Sequence, residues 1–406
     1  MRLLISLISL FASVVLLQLA IGSVGPLDQL SGVVLGFSTT QIGLIGSAHF
    51  VGFFIGCWWT PRLMGNIGAS RAFAVFTAIG AIGMLAHMML VSVVAWALFR
   101  VLIGLCVAGA YTVIEAWLNE KATNQNRGRV TGTYRIVDLG ASLCAQLLVA
   151  GLSPATYLAY NTLAILCCAA LIPIALSRTG QPAAPASLRL RPHVAILASP
   201  LAVAGVMVAA LTSSSYRMVG AIFGQGIGLT QQEISLFLAA FIGGGALSQY
   251  PVGWLADAFD RRWVLIVLSV GAIVSALILL MSQTWGVGPL VICSALFGFI
   301  TMPMFSVSAS HANDFTNDEE RVELAAALMF FYALGAIASP LLGSKLIDIF
   351  GPSSLFVLLS VGHLLLIVFG LWRMRSRAAR TIRTPYVYTP RSSFTIGRLL
   401  RRRRDR

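Results

Sequence analysis

Charge is what this sequence has least of. Only 10% of its residues are Asp, Glu, Lys or Arg, while 58% are apolar. Water-soluble domains carry about 25% charged residues. So few charges cannot cover a water-facing surface, so lipid must solvate much of the exterior. Cysteine is sparse as well: Cys57, Cys106, Cys144, Cys167, Cys168 and Cys293 all fall within apolar runs, at no metal-ligand spacing. They read as small buried hydrophobes, which excludes a disulfide framework and a metal centre. No Gly-x-x-x-x-Gly-Lys phosphate loop is present, so an ATP-driven pump is not supported. No Ser/His/Asp set is visible, so neither an enzyme nor a cofactor is expected. Acidic residues are few, 14 against 28 Lys and Arg, which leaves a net charge of +14. That excess could suggest a nucleic-acid partner, but its distribution argues otherwise. The stretch from Arg373 to Arg406 holds twelve Arg and one Asp, a net of +11. A basic tail beside a last apolar run reads first as a solvated topology anchor, with contact to anionic lipid as the alternative.

What is abundant is long apolar runs. A hydrocarbon core of roughly 30 Å needs about 20 apolar residues per helix. Runs of that kind span 3–25, 40–60, 71–91, 93–117, 130–150 and 156–177, then 199–223, 231–254, 263–282, 288–310, 323–346 and 353–373. The first is not a cleaved signal, because it continues to about Gly25 without a convincing small-residue cleavage site and more spans follow. Between the two sets of six, Ser177 to Val194 is basic and proline-rich (Pro182, Pro185, Arg189, Arg191, Pro192), a linker composition. The even-numbered loops hold Arg62, Arg71, Lys121, Arg127, Arg129, Arg178, Arg189, Arg191, Arg261, Arg262 and Arg321; the odd-numbered loops hold only Lys345. Positive charge favours the cytoplasmic side, so both termini and the linker are expected there. The halves also look like repeats. At an offset of 194, Gly104, Asn119, Glu120 and Arg127 match Gly298, Asn313, Asp314 and Arg321. The expected fold is all-α, with twelve transmembrane helices in two pseudo-symmetric six-helix bundles. The expected division is an N-terminal bundle (1–177), a cytoplasmic linker (178–198), a C-terminal bundle (199–374) and a basic cytoplasmic tail (375–406).

The sharpest motif follows the eighth run: Gly253-Trp-Leu-Ala-Asp257-Ala-Phe-Asp260-Arg261-Arg262. Glycine permits close helix approach, and Asp257 can accept a charge-assisted hydrogen bond that latches one conformation. The fourth run carries Arg100-Val-Leu-Ile-Gly104, then Gly109. These two stretches resemble the signature loop and the fourth-helix signature of the major facilitator superfamily. The first-half loop, Pro61-Arg62-Leu-Met-Gly65-Asn66-Ile-Gly68-Ala-Ser-Arg71, departs from the pattern by placing proline where the acid should stand. Glu115-Ala-Trp-Leu-Asn119 and His311-Ala-Asn-Asp314 are similar to a little-characterised bacterial branch, loosely sugar- or drug-transporter-like, a label that names no substrate. The resemblance implies a monomeric multi-pass protein of the bacterial inner membrane. It implies secondary active transport of a small solute by alternating access, with protons as the candidate coupling ion. The alternative is a non-transporting receptor or scaffold on the same fold.

Ionisable residues inside apolar runs are functional candidates by default. They are Arg100, Glu115, Arg135, Asp138 and Arg217. Arg135 and Asp138 are three apart and share a helix face, either as a local ion pair or as a coupling site. Tyr111, Glu115 and Asn119 form a polar stripe one turn apart. Thr212-Ser-Ser-Ser-Tyr216-Arg217 is poor lipid-facing material, so Tyr216 and Arg217 should face a central cavity; Arg217 should meet an anionic group or, alternatively, Asp28. His49, His87 and His363 read as helix-packing residues. Gly253, Asp257, Arg261 and Arg262 are the expected latch.

Overall fold

The computed structural model describes residues 2–123, 125–176, 182, 190–317, 320–376, 384–387, 389 and 392. All regular structure among them is helical. The first half comprises α1 (Arg2–Val34), α2 (Thr39–Ile67), α3 (Ala69–Ala86), α4 (Val93–Lys121), α5 (Arg127–Val149), α6 (Tyr157–Ala169) and α7 (Leu171–Ala175). A short α8 (Pro192–Ala198) precedes the second half. That half comprises α9 (Pro200–Gly226), α10 (Gln231–Leu247), α11 (Gln249–Ala258), α12 (Arg261–Ser282), α13 (Val287–Thr301), α14 (Met304–Asn313), α15 (Arg321–Phe350) and α16 (Ser354–Ser376). Most of the linker and of the basic tail lies outside the described residues.

Ten spans are long and apolar enough to cross a membrane, and the bent pair α10–α11 makes an eleventh. That pair bends by 40° at a one-residue break, Ser248. The remaining expected span is α5. It is 23 residues long and packs against α1 and α10, but Arg127, Arg129, Arg135 and Asp138 give it the highest share of charged residues among the long helices. The outer surface displays large apolar side chains such as Leu98, Ile136, Ile165, Leu247 and Val267, as a lipid-facing exterior requires.

The two halves repeat one another in their turns and in their helix crossings. After α1 the chain turns through Gly36 at φ +78°, and Ser38 caps α2 with a capping box to Gln41. After α9 it turns through Gly228 at φ +85°, and Thr230 caps α10 with a capping box to Glu233. Glycine takes that left-handed conformation without steric penalty, and each box satisfies two otherwise orphaned helix donors. The crossings match too. A Cβ on Gly104 would stand 1.9 Å from the His49 carbonyl oxygen, and one on Gly52 the same distance from that of Val101. In the second half, Gly298 meets Phe241 and Gly244 meets Ala295 at the same 1.9 Å. Backbone contact of this kind is how helices associate where lipid removes the hydrophobic drive between them.

α5 and α12 each begin with an arginine, Arg127 and Arg261, and the end of the bundle where they begin is its basic face. On the opposite, distal face the halves are bound together. The Thr40 amide donates to Asp348 (2.8 Å), and the Gln231 side chain donates to the carbonyls of Val149 (2.5 Å) and Leu152 (2.6 Å). Gly43 lies against Ser344 and the Pro340 carbonyl.

Candidate functional site

A cavity lies at mid-depth between the halves, with about 160 Å³ of space for the centres of water-sized molecules. α1, α2, α4 and α5 line one side; α9, Met302 and Tyr332 line the other. Its charged residues are Arg135, Asp138 and Arg217, with His49 beside them. Helical period brings them in. Asp138 and Ser142 are one turn apart on α5, as are Ser213 and Arg217 on α9. Arg217 reaches across from the second half and donates to Ser142 (3.1 Å). The Tyr111 hydroxyl stands 2.7 Å from both Asp138 and Gln18, so it ties α4 to α5 and α1. A hydroxyl has a single proton to donate. Either the Gln18 amide turns its NH2 towards it or Asp138 carries the proton.

Behind the cavity α1 holds a second polar cluster, fully buried. Asp28 lies 3.3 Å from Arg100 Nε and 3.4 Å from His87 Nε2, and accepts a hydrogen bond from Tyr160 (2.8 Å). Asp28 and Arg100 are 3% and 1% exposed, so the pair is sealed from solvent, where an unpaired charge would be very costly. His87 Nδ1 is 2.6 Å from the Gly83 carbonyl, which accepts, so that nitrogen bears a proton. His87 Nε2 is then the ring nitrogen that faces the carboxylate. Arg100 also reaches the Met218 sulfur of α9 (3.1 Å), so the cluster touches the second half. Beside it Gln29 accepts from the Ala221 amide (2.9 Å) and donates to the Arg217 carbonyl (2.7 Å). These are the two groups that an unbroken helix pairs with each other.

The candidates read from sequence thus divide. Arg135, Asp138 and Arg217 share the cavity, and Arg100 has its interior partner in Asp28. Tyr216 is elsewhere. Its ring stacks on Phe241 (centroids 4.0 Å apart) and Phe237, and its hydroxyl bonds Ser294, because one residue along a helix turns it about 100° from Arg217. Glu115, on the basic side of the cavity, accepts from Ser392. Asp28 is not the partner of Arg217, and His87 is part of a charged cluster rather than plain packing. The signal for Asp28 was an acid within an apolar segment, obscured by Pro26.

The motif after α11 forms a network on the basic face. Arg261 is 1% exposed and donates to Asp314 (2.7 Å), to the carbonyls of Ser310 (2.8 Å) and Ala256 (3.1 Å), and to Asp257 (3.1 Å). Arg262 pairs with Asp260 (2.7 Å), the cap of α12. Burial works to raise the Asp260 carboxyl, but the Arg262 hydrogen bonds and charge outweigh it and hold the group below the usual range. The described helix contacts of this network all lie within the second half. Gly253 abuts the Tyr386 ring rather than another helix.

A lipid-clad helical bundle of two repeated halves around a polar cavity is the architecture of a secondary transporter. The family model of the Major Facilitator Superfamily matches residues 201–404, and that of the sugar (and other) transporters matches residues 5–193. The chain belongs to the Major Facilitator Superfamily, and it is a membrane transporter rather than an enzyme. Among its relatives is the uncharacterized MFS-type transporter YcaD of Salmonella arizonae, 25% identical over 353 residues, covering 86% of this chain and 91% of the relative. The Escherichia coli YcaD protein matches to the same extent. Solved structures of like fold include the nucleoside transporter NupG (TM-score 0.74, 16% identity, 93% of this chain and all of that one). A bacterial homologue of the lysosomal transporter Spinster in an inward-facing, occupied conformation also matches (0.75, 14%, 91% and 96%).

Proposed function

We propose that this transporter carries a small polar solute bearing an anionic group, by alternating access driven by protons, with all twelve expected helices, α5 included, crossing the membrane. The observation that carries the solute reading is the cavity itself, where Arg135 and Arg217 from opposite halves stand with a single lining acid, Asp138. Two fixed positive charges facing one cavity attract an anion by Coulomb's law, and the low dielectric of the site strengthens that attraction. Proton coupling is supported by the Asp28–His87–Arg100 cluster. It holds an acid and an imidazole 3.4 Å apart away from solvent, and it touches the second half through Met218. Asp138 and Glu115 are the other acids available for such a role. The basic face is assigned to the cytoplasm by its arginines. The inward-facing state of the Spinster homologue is consistent with the closed distal face described here.

The solute reading is tested by thermal unfolding of the purified protein against a panel of small carboxylates, phosphates and uncharged polar solutes. An anion that binds raises the melting temperature, by a stabilisation that grows with the logarithm of its concentration once above the dissociation constant. Arg217→Ala should abolish that shift. Stabilisation by neutral solutes only, unchanged in Arg217→Ala, would overturn it.

A further inference from the structure

The chain's own C-terminal segment occupies the mouth of the transport path. Thr384 sits at the rim. Its amide (2.8 Å) and hydroxyl (2.9 Å) donate to Asp314, and Arg261 donates to its carbonyl and to its hydroxyl (3.2 Å). The Tyr386 amide donates to Asp257 (2.7 Å), and its ring fills the space left by Gly253, where a Cβ would stand 2.8 Å away. Farther in, the Thr389 amide donates to Ser306 (3.0 Å), and Thr389 is 7% exposed. Ser392 donates to Glu115 of α4 and lines the central cavity.

These anchors descend in order. Ser306 lies eight residues, about 12 Å, inward of Asp314 along α14, at 1.5 Å per residue. Glu115 lies six residues, about 9 Å, inward of the end of α4. The sequence suits the path: Pro385 and Pro390 forbid a helix interior, and Thr384, Tyr386, Thr389 and Ser392 supply the groups used. The other hydrogen bonds described between the halves lie at mid-depth or on the distal face. The segment therefore links α14 of the second half to α4 of the first on the basic face.

We propose that the basic-face mouth is a peptide-binding groove whose occupant is this segment, seated through Thr384, Tyr386, Thr389 and Ser392, and that its seating excludes solute from that face. The motif at Gly253–Arg262 is then a dock for the tail as well as a link between helices. Closing the basic face would bring Ser306 and Glu115 together where Thr389 and Ser392 now stand, so the segment must leave before the halves can rock. Solute and tail compete for one path.

Two readouts in the full-length protein test this without knowledge of the solute. In Ser306→Cys/Thr389→Cys, mild oxidation of membranes should form a disulfide, identified by mass spectrometry of the linked peptides. In Leu139→Cys, which lines the cavity, an impermeant maleimide applied to the basic face should label slowly. Adding Thr384→Ala, Tyr386→Ala and Thr389→Ala should raise that rate at least tenfold. Oxidising the Ser306→Cys/Thr389→Cys pair in the Leu139→Cys background should hold it slow. Absence of the disulfide, or equal labelling with the tail docked and undocked, would overturn the proposal.

Discussion

Replacing Asp28 with asparagine removes one charge and almost no volume, and the consequence can be worked out from the geometry. Arg100 would keep its guanidinium at 1% exposure, with the Met218 sulfur as a remaining neighbour at 3.1 Å. Removing one partner of a buried ion pair costs about 3–5 kcal/mol, because the other charge is stranded. The low end, about 3 kcal/mol, is expected here, since the introduced amide can still accept from Tyr160. Arg100→Met in the same protein removes the stranded charge and fills similar volume, so the double variant should recover most of the loss. Cys57, Cys106, Cys167 and Cys293 are buried, so a thiol-reactive dye reports unfolding on heating in detergent. Asp28→Asn should melt several degrees below the parent, and Asp28→Asn/Arg100→Met should melt above Asp28→Asn. A single variant that melts with the parent, or a double variant no better than the single, would refute the reasoning.

Gly104→Ala places a methyl 1.9 Å from the His49 carbonyl and must push α2 and α4 apart by about 1 Å to reach tolerable contact. Overpacking of this kind costs about 1–3 kcal/mol. The same melting assay should show matching losses for Gly104→Ala and its counterpart Gly298→Ala, and none for Gly132→Ala, where nothing lies within 4 Å. Asp314→Asn removes one of the two carboxylates on the buried Arg261, which keeps Asp257 and three backbone carbonyls, so the loss should be that of a charged hydrogen bond, about 1.5–3 kcal/mol. Asp257, whose side chain is 48% exposed, contributes about 0.2–1 kcal/mol, so Asp257→Asn should insert and melt normally while slowing transport. A reporter fused after Arg406 should be active only in its cytoplasmic form; a periplasmic signal would overturn the orientation.

Much of the fold was legible because lipid imposes a simple rule: a long apolar run becomes a helix, and basic loops mark a side. The residues that escaped did so for local reasons. Pro26 read as an end to the first span, yet α1 continues to Val34, which carries Asp28 from a loop into the protein interior. A charge inside a span points to a hidden partner but cannot name it. The sequence offered Asp28 as an alternative partner for Arg217, whereas helix packing sets it beside Arg100. Tyr216 was grouped with Arg217 by adjacency, whereas a helix separates adjacent residues onto different faces. The charges of α5 mark it as cavity-lining and, for the same reason, weaken its apolar signature. The docking of Thr384, Tyr386, Thr389 and Ser392 had no signal in composition, since a tail rich in arginine reads as solvated.

The proposed coupling takes up its proton at Asp28, and uphill uptake in proteoliposomes tests that directly. With an imposed pH gradient and a labelled anion found to stabilise the protein, the parent should accumulate solute above equilibrium. Asp28→Asn should still exchange labelled for unlabelled solute yet fail to accumulate it, and Asp138→Asn should keep its response to the gradient. Accumulation by Asp28→Asn equal to the parent, with the same pH dependence, would contradict the account.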